Sequence, residues 1–251
     1  MTPLIAVAHG SRDPRSARVV TAAVSALRER HPDLDVRLCF LDLTAPSVDQ
    51  VIDAVAAEGH SSAVVVPMLL GSAFHARVDL PALLDAARRR HPRLDVRQAD
   101  VLGHDPRLLG AVRDRIVEAG GSTAESGLGV VLAAVGSSDP AANDRTRGLA
   151  DALLAGTRWS GAVTCFATSA EPTVQQAIAH LYASGASRIV IAPWFLAPGL
   201  LTDRLSRAAE SCAGDITYSA TIGPHSRLLD VMLDRYSDTR TEPRTCTVLS
   251  A

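Results

Sequence analysis

The second half of this 251-residue sequence repeats the first half in a fixed register. Gly10-Ser11 recurs 126 residues later as Gly136-Ser137, and Cys39-Phe40 recurs at the same spacing as Cys165-Phe166. The other pairs at this spacing are Asp13-Pro14 with Asp139-Pro140, Pro46 with Pro172, Gly59 with Gly185, and Pro67 with Pro193. The spacing then falls to 120, where Gly103 matches Gly223 and Arg107 matches Arg227. Such a repeat predicts two copies of one structural unit.

Apolar runs alternate with amphipathic runs in each half, which predicts a strand before every helix. In the first half, strands are expected at about 3–8, 35–41, 62–67 and 95–101, and helices at about 14–30, 47–58, 77–90 and 105–119. In the second half, strands are expected at about 129–135, 162–167, 188–193 and 215–221, and helices at about 140–155, 172–184, 201–211 and 225–236. This alternation indicates an α/β fold in which helices flank a four-stranded parallel sheet in each half.

The repeat also predicts the domain organisation. We expect an N-terminal lobe over residues 1–119, a Gly- and Ser-rich linker over 120–128, and a C-terminal lobe over 129–236. Residues 237–251 form a polar tail that the pattern does not place. The two lobes are expected to face each other across a cleft.

Composition excludes several classes of function. The formal net charge of −2 gives no electrostatic reason to bind nucleic acid, and no apolar run reaches the 18 residues that a membrane span needs. The 25 basic residues are all arginine, which excludes a Schiff-base or P-loop lysine. The four cysteines form no zinc or disulfide pattern, and the chain begins on a strand without a basic leader. We therefore expect a reducing, cytoplasmic location.

Three residues follow the ends of predicted parallel strands and are candidates for a metal site. His9 follows the first strand, Asp42 the second and His75 the third. The carboxyl ends of parallel strands lie on one edge of a sheet, where ligands of open α/β sheets bind. Two imidazoles and a carboxylate suit a divalent first-row metal with positions left open for substrate. A helix-capping role for Asp42 and a turn role for His9 remain open.

The candidate ligands are absent from the second half, although the glycine, serine and proline framework is kept. The replacements are Val135 for His9, Thr168 for Asp42 and Leu201 for His75. A purely structural role for the two histidines would not predict that both differ together. We therefore expect the first lobe to be catalytic and the second to be non-catalytic.

Three segments together resemble the CbiX/SirB group of class II chelatases: His9-Gly10-Ser11-Arg12, Phe40–Pro46 and Val66–His75. The resemblance extends from about residue 3 to 236. It implies the two-lobed chelatase-like fold and the insertion of a divalent metal into sirohydrochlorin. The family's active histidines match His9 and His75. Family members usually carry Glu where this chain has Asp42, so both direct and water-bridged metal contact remain open for this residue.

The resemblance also implies the substrates. These are Fe²⁺ or Co²⁺ and the polyanionic tetrapyrrole sirohydrochlorin, with no organic cofactor. Arg12 and Arg77, beside the two histidines, can bind carboxylates in a fork, although ordinary surface positions would also explain them. The other expected substrate contacts are Ser11, Gly71, Ser72, Ala73, Ser137 and Ser138. Trp194 and Phe195 belong either to the opposite wall of the cleft or to the core.

Three functions remain open at this stage. The first is a sirohydrochlorin chelatase, with iron favoured slightly over cobalt. The second is a non-catalytic carrier of metal or tetrapyrrole, which would bind one equivalent and stop. The third is a small-molecule-binding protein with opposed lobes and no metal dependence. Because the fused lobes supply both walls of the cleft, a monomer is expected.

Overall fold

The structure is a computed structural model that describes residues 1–71, 78–168 and 171–241. The chain forms two four-stranded parallel sheets. The first half contains β1 (Leu4–Ala8), α1 (Pro14–Arg30), β2 (Val36–Phe40), α2 (Val48–Ala57), β3 (Ser62–Pro67), α3 (Leu80–Arg90), β4 (Asp95–Gln98) and α4 (Pro106–Glu118). The second half contains β5 (Leu128–Ala134), α5 (Pro140–Leu154), β6 (Gly161–Phe166), α6 (Val174–Ala183), β7 (Arg188–Pro193), α7 (Leu200–Glu210), β8 (Ile216–Tyr218) and α8 (Ser226–Thr241). The strand orders, β2-β1-β3-β4 and β6-β5-β7-β8, are equivalent, which confirms the predicted α/β fold class.

Side chains along each strand alternate between two buried cores. In β1, Leu4, Ala6 and Ala8 face one side of the first sheet, whereas Ile5 and Val7 face the other. All five are at most 4% exposed. Helices α2 and α3 cover the side of Ile5 and Val7, and α6 and α7 cover the matching side of the second sheet. Burial on both sides explains why the central strands β1, β3, β5 and β7 are almost continuously apolar.

The remaining sides of the two sheets share a single apolar core. Val64 and Val66 of β3 belong to the same buried cluster as Val130 of β5 and Val190 of β7. Helices α1, α4, α5 and α8 also contribute residues to this cluster. The two lobes are therefore joined by a continuous core rather than by a flexible linker.

Two helices are exchanged between the halves of the sequence. Helix α4 follows the fourth strand of the first half but packs on β7 and α5 of the second lobe. Helix α8 ends the second half but packs on β3 and β4 of the first sheet, and it also contacts α4 and α1. Each sheet is therefore completed by a helix from the other half, which the sequence repeat did not reveal.

The exchanged helices anchor loops of the opposite lobe through equivalent arginines. Arg115 of α4 donates from Nη2 to Ile222 O at 2.9 Å. Arg235 of α8 lies 120 residues later and donates to Val101 O and Leu102 O at 3.1 and 3.4 Å. Each guanidinium thereby ties the segment after the last strand of one sheet to the helix that covers the same sheet but comes from the other half of the chain.

Ion pairs between α4 and α8 follow the same symmetry. Arg107 pairs with Asp234, and Arg227, its equivalent in the repeat, pairs with Asp114 at 3.1 Å. All four side chains are partly exposed, so each pair stabilises the fold by only about 0–1 kcal/mol. We infer that these pairs contribute mainly to the register of the two helices.

Repeated capping groups fix where the helices begin. Asp13 Oδ1 accepts from Arg15 N at 2.9 Å at the start of α1, and Asp139 accepts in the same way at α5. Ser47 and Thr173 begin α2 and α6 with capping boxes. Side-chain acceptors at these positions satisfy backbone donors that have no partner within the helix.

Helix α8 continues five residues beyond its predicted end, so residues 237–241 are not part of a polar tail. The reason lies in contacts with the first lobe that a local pattern does not contain. Tyr236 Oη donates to Thr2 O at 2.7 Å, and Arg97 Nη1 donates to Thr239 O at 3.5 Å. The remaining tail, residues 242–251, lies outside the described residues.

Two cysteines are buried in strands. Cys39 and Cys165 are both fully buried, and burial raises the pKa of each thiol to about 12. Both therefore pack as small apolar groups. In the described part of the chain, no helix combines the length and the apolar character that crossing a membrane requires.

The helix exchange predicts the behaviour of a chain that ends at Ser126. Such a fragment lacks α8, so the faces of β3 and β4 that α8 covers are exposed. We expect it to form a dimer in which α4 of each copy replaces α8 of the other, because the two helices are equivalent in the repeat. Light scattering coupled to gel filtration measures the mass.

The control for this fragment is the same chain with Ile116→Asp, which places a charge at a fully buried position of α4. This variant should lose the dimer and unfold without cooperativity in urea. A monomeric fragment that unfolds cooperatively would contradict the proposed role of α8.

Candidate functional site

Strands β1 and β2 remain hydrogen-bonded beyond their last residues, and this brings His9 beside Asp42. Leu41 N donates to Ala8 O at 2.9 Å, and Asp42 N donates to His9 O at 3.0 Å. Both His9 and Asp42 are exposed at the carboxyl edge of the first sheet. The structure thus places two of the three predicted ligands side by side.

Gly10 makes the close approach of these two loops possible. Its φ is +94°, and a Cβ built on it would lie 1.7 Å from Asp42 O. Any other residue would therefore clash with the backbone of Asp42 as well as adopt an unfavourable conformation. The end of β1 can lie against the loop after β2 only because residue 10 is a glycine.

A side-chain hydroxyl from the second loop locks the turn after Gly10. Thr44 Oγ1 donates to Ser11 O and accepts from Ser11 N, both at 3.2 Å. Ser11 Oγ in turn accepts from Asp13 N at 3.0 Å. Because the N–H of Ser11 is already donated, its hydroxyl proton is the group that remains for the predicted substrate contact.

The second lobe forms the same turn with a different residue. Asn143 of α5 accepts from Ser137 N at 2.8 Å and donates to Ser137 O at 2.7 Å. Asn143 is only 6% exposed, and Ala17 occupies its place in the first lobe. The two lobes therefore conserve the turn geometry while using side chains from different elements.

Leu43 follows Asp42 in a left-handed conformation with φ of +61°, although it is not a glycine. Its side chain is 52% exposed, so packing does not explain the conformation. Asp42 Oδ1 accepts from Leu43 N at 2.7 Å, which fixes the carboxylate relative to this turn. Backbone strain of about 1–3 kcal/mol at such positions occurs most often at functional sites.

The remaining predicted site residues differ in what the structure shows. Arg12 is exposed at the start of the turn after β1. Gly71 is exposed, and a Cβ built on it would meet nothing within 4 Å, so packing among the described residues does not require a glycine there. Ser138 is exposed beside Ser137 in the second lobe. The predicted residues that lie outside the described part of the chain are Ser72, Ala73, His75 and Arg77.

Among the described residues, the second lobe presents no ligand set at its matching edge. Val135, in the place of His9, is 43% exposed. Thr168, in the place of Asp42, donates its hydroxyl proton to the backbone carbonyl of Val135 at 2.8 Å. Leu201, in the place of His75, packs partly buried against the outer core. This edge therefore offers apolar surface instead of metal ligands.

A cavity of about 510 Å³ lies at the carboxyl ends of β7 and β8, between the second lobe and helices of the first half. Val19 of α1 and Arg115 of α4 line it from the first half, and Thr202 of α7 and Tyr218 of β8 are among its walls in the second. No predicted site residue in the described ranges lines this cavity. It adjoins the junction between the lobes but is separate from the His9–Asp42 edge.

One histidine at this junction was missed as a candidate by the sequence analysis. His104 lies in the loop between β4 and α4, and its ring centroid is 6.3 Å from that of Trp194, which follows β7. Trp194 is 5% exposed, so the alternative of a core residue is the correct one for it. The available signal was the repeat itself, because Pro224 replaces His104 in the second half.

Other histidines have structural partners. His225 Nδ1 accepts from Arg227 N at 3.2 Å and thereby caps the start of α8. His91 is paired with Asp53 at 2.6 Å, and His60 Nδ1 lies 3.1 Å from Met1 O. Each of these imidazoles serves the fold.

A separate group of potential ligands lies at the opposite edge of the first sheet. Asp35, Glu58 and His60 have side-chain atoms within 4.8 Å of one another. The two carboxylates already have a cationic partner, because Arg37 forms an ion pair with each of them. This cluster is therefore accounted for by ion pairing.

The sequence model of the CbiX family matches this chain twice, over residues 3–119 and over residues 129–239. The chain belongs to the CbiX family. The first match includes His9, Asp42 and His75. The second includes the residues that replace them, Val135, Thr168 and Leu201. The resemblance inferred from the three sequence segments is thereby confirmed.

Curated relatives in the CbiX family include enzymes for two metals. A sirohydrochlorin ferrochelatase of Priestia megaterium is 27% identical over 218 residues, covering 86% of this chain and 80% of the relative. A sirohydrochlorin cobaltochelatase of the same organism is 29% identical over 208 residues, covering 82% of this chain and 67% of the relative.

A solved structure of SirB from Bacillus subtilis with Fe³⁺ has the same fold. The TM-score is 0.82, the sequences are 24% identical, and the match covers 96% of each chain. This chain therefore shares the two-lobed fold of that SirB structure over nearly its whole length.

The contact between Gly10 and Asp42 predicts a large effect of Gly10→Ala. The matched control is Gly59→Ala, because Gly59 also has a positive φ of +83° but has nothing within 4 Å of a built Cβ. We expect Gly59→Ala to lower the free energy of unfolding by about 1–2 kcal/mol. Gly10→Ala should cost at least about 2 kcal/mol more, because the loops must also move apart.

Urea unfolding followed by circular dichroism measures both values. Equal losses of stability in the two variants would contradict the close approach of Gly10 to the second loop.

Proposed function

We propose that this chain is a sirohydrochlorin chelatase, which inserts a divalent metal ion into sirohydrochlorin in exchange for two pyrrole protons. The observation that carries this proposal is the pairing of His9 with Asp42 at the edge of one sheet, in a chain that matches the CbiX family in both halves. The names of its curated relatives, sirohydrochlorin ferrochelatase and cobaltochelatase, agree with this reaction.

His9, His75 and Asp42 are proposed to present the metal ion. Neutral imidazole binds first-row divalent metals, and a set of three protein ligands leaves coordination positions open for the pyrrole nitrogens. His9 and His75 are also the proposed catalytic residues, because an imidazole can accept a proton near pH 7. Asp42 is exposed and fixed by Leu43 N, so it can bind the metal directly or through a water.

The macrocycle is proposed to lie between the two lobes. Its carboxylates would bind Arg12, Arg77 and the hydroxyl of Ser11. Backbone and side-chain groups of Gly71, Ser72 and Ala73 would add contacts from the same lobe. From the opposite wall, Ser137 and Ser138 would donate hydrogen bonds, while the exposed Val135 would pack against the flat ring.

Fe²⁺ is the proposed metal, with Co²⁺ as the alternative. The ferrochelatase relative matches a larger share of this chain and of its own length than the cobaltochelatase relative does. Metal affinity alone cannot decide, because selectivity in cells depends on site geometry and on supply. The deciding experiment is anaerobic absorbance of sirohydrochlorin with the enzyme and Fe²⁺, Co²⁺ or Ni²⁺ in turn.

The same experiment separates the enzyme from a carrier. A chelatase converts many equivalents of sirohydrochlorin, whereas a carrier of metal or tetrapyrrole would bind one equivalent and stop. The proposed reaction uses the metal as a substrate and requires no organic cofactor. Because both walls come from one chain, we propose that a cytoplasmic monomer is active without nucleic acid or membrane.

Replacement of either histidine should abolish most of the activity. We expect His9→Ala and His75→Ala each to lower the rate of metal insertion at least about a hundredfold, the scale of losing a general base. The matched control is His180→Ala, since His180 is exposed on α6 and should leave the rate unchanged. Near-normal turnover in a folded His9→Ala or His75→Ala protein would remove the proposed site.

Asp42→Asn should have a smaller effect than either histidine replacement. The amide keeps the acceptor for Leu43 N but loses the charge, so we expect a loss of about tenfold in rate or in Co²⁺ affinity. Ligand-field absorbance during a Co²⁺ titration measures the affinity and should give one site per chain. A loss larger than that of His75→Ala would show that the carboxylate is the main ligand or base.

A further inference from the structure

His104 lies at the same sheet edge as the proposed metal site. It occupies the loop between β4 and α4, and the preceding residue, Gly103, donates its N–H to Leu69 O at 3.2 Å. Leu69 follows β3, the strand whose loop leads to His75. The loop of His104 is therefore attached to the loop that carries a proposed ligand.

The same imidazole faces the second lobe. Its ring centroid is 6.3 Å from that of Trp194, and the two planes are inclined by 60°. The backbone N–H of Trp194 donates to Ala133 O at 2.7 Å, which fixes Trp194 at the carboxyl edge of the second sheet. His104 thus lies close to the carboxyl edges of both sheets.

The loop of His104 is held from both sides. Arg235 of α8 donates to Val101 O and Leu102 O, and Asp105 begins α4 by accepting from Arg107 N at 3.0 Å. The ring of His104 is nevertheless only half-buried, and neither ring nitrogen forms a hydrogen bond to any residue of the described ranges. The loop is positioned by the protein, while the imidazole nitrogens are left for another partner.

The surroundings of His104 favour the neutral imidazole. Burial lowers its pKa, and the guanidinium of Arg145 on α5 lowers the pKa further. Asp105 is adjacent in sequence, but its carboxylate is paired with Arg107 and Arg235. His104 therefore carries an unprotonated nitrogen near pH 7.

We propose that His104 accepts one of the two pyrrole protons that leave the macrocycle during metal insertion. This inference rests on the proposed chelatase function. The pyrrole N–H bond breaks, its electron pair stays on the nitrogen and binds the incoming metal ion, and an N–H bond forms on the imidazole. The resulting imidazolium passes its proton to solvent, which burial and Arg145 both favour. His9 and His75 remain available to hold the metal.

The repeat supports this assignment independently of the contacts. His104 is replaced by Pro224 in the second half, just as His9 and His75 are replaced by Val135 and Leu201. His225, by contrast, matches Asp105, and both cap the start of the following helix. Asp105 and His225 thus keep an equivalent capping role in both halves, whereas His104 has no histidine counterpart.

The test is His104→Gln in the full-length protein, with the matched control His180→Gln. We expect His104→Gln to lower kcat at least about tenfold, because glutamine cannot accept the proton. The KM for sirohydrochlorin and the Co²⁺ affinity should stay within about twofold, because binding is retained. A second variant, His104→Ala, leaves a space in place of the ring, and added imidazole should restore part of its activity. This variant also tests the proposal if His104→Gln folds poorly.

Several outcomes would overturn the proposal. An unchanged kcat would show that His104 takes no proton, and a lost Co²⁺ site would make it a metal ligand. A raised KM with normal kcat would assign it to binding alone. Failure of the wild-type protein to insert any metal would instead reject the chelatase function, so the two failures are distinguishable.

Discussion

The shared core between the two sheets is the interaction on which the rest of the structure depends. Helices α4 and α8 are exchanged, so each sheet obtains one of its covering helices from the other half of the chain. Arg115 and Arg235 extend this exchange to the loops, since each holds the segment after the last strand of the opposite sheet. The position of the second lobe relative to the first is therefore set by burial, and a cleft between them needs no separate hinge or linker.

The carboxyl edge of the first sheet depends on a second, local constraint. Gly10 allows the loops after β1 and β2 to touch, and Thr44 then closes the turn at Ser11 through both backbone groups. The backbones of His9 and Asp42 are consequently held together by main-chain hydrogen bonds. A site built in this way keeps its geometry when a metal ion arrives or leaves, which suits a protein that must release the metal to its second substrate.

The strands, the helices and the doubling of the sheet could be predicted because they are local or repeated signals. His9 and Asp42 could be predicted for the same reason, since each follows a strand end. The helix exchange could not, because an apolar helix face does not reveal which sheet it covers. His104 was overlooked because its neighbour, Trp194, is 90 residues away in the sequence. The end of α8 was placed too early because Tyr236 is held by a residue at the other end of the chain.

The asymmetry between the lobes has a physical explanation in these contacts. A single copy of the first lobe is incomplete without the second, because α8 completes the first sheet. Its carboxyl edge, however, carries no requirement to hold a metal: Thr168 donates its hydroxyl to Val135 O, and Val135 is left exposed. Two equal metal sites facing each other would compete for the same four pyrrole nitrogens. In the proposed function, one set of ligands and one apolar wall would direct the macrocycle, so that a single face of the ring meets the metal.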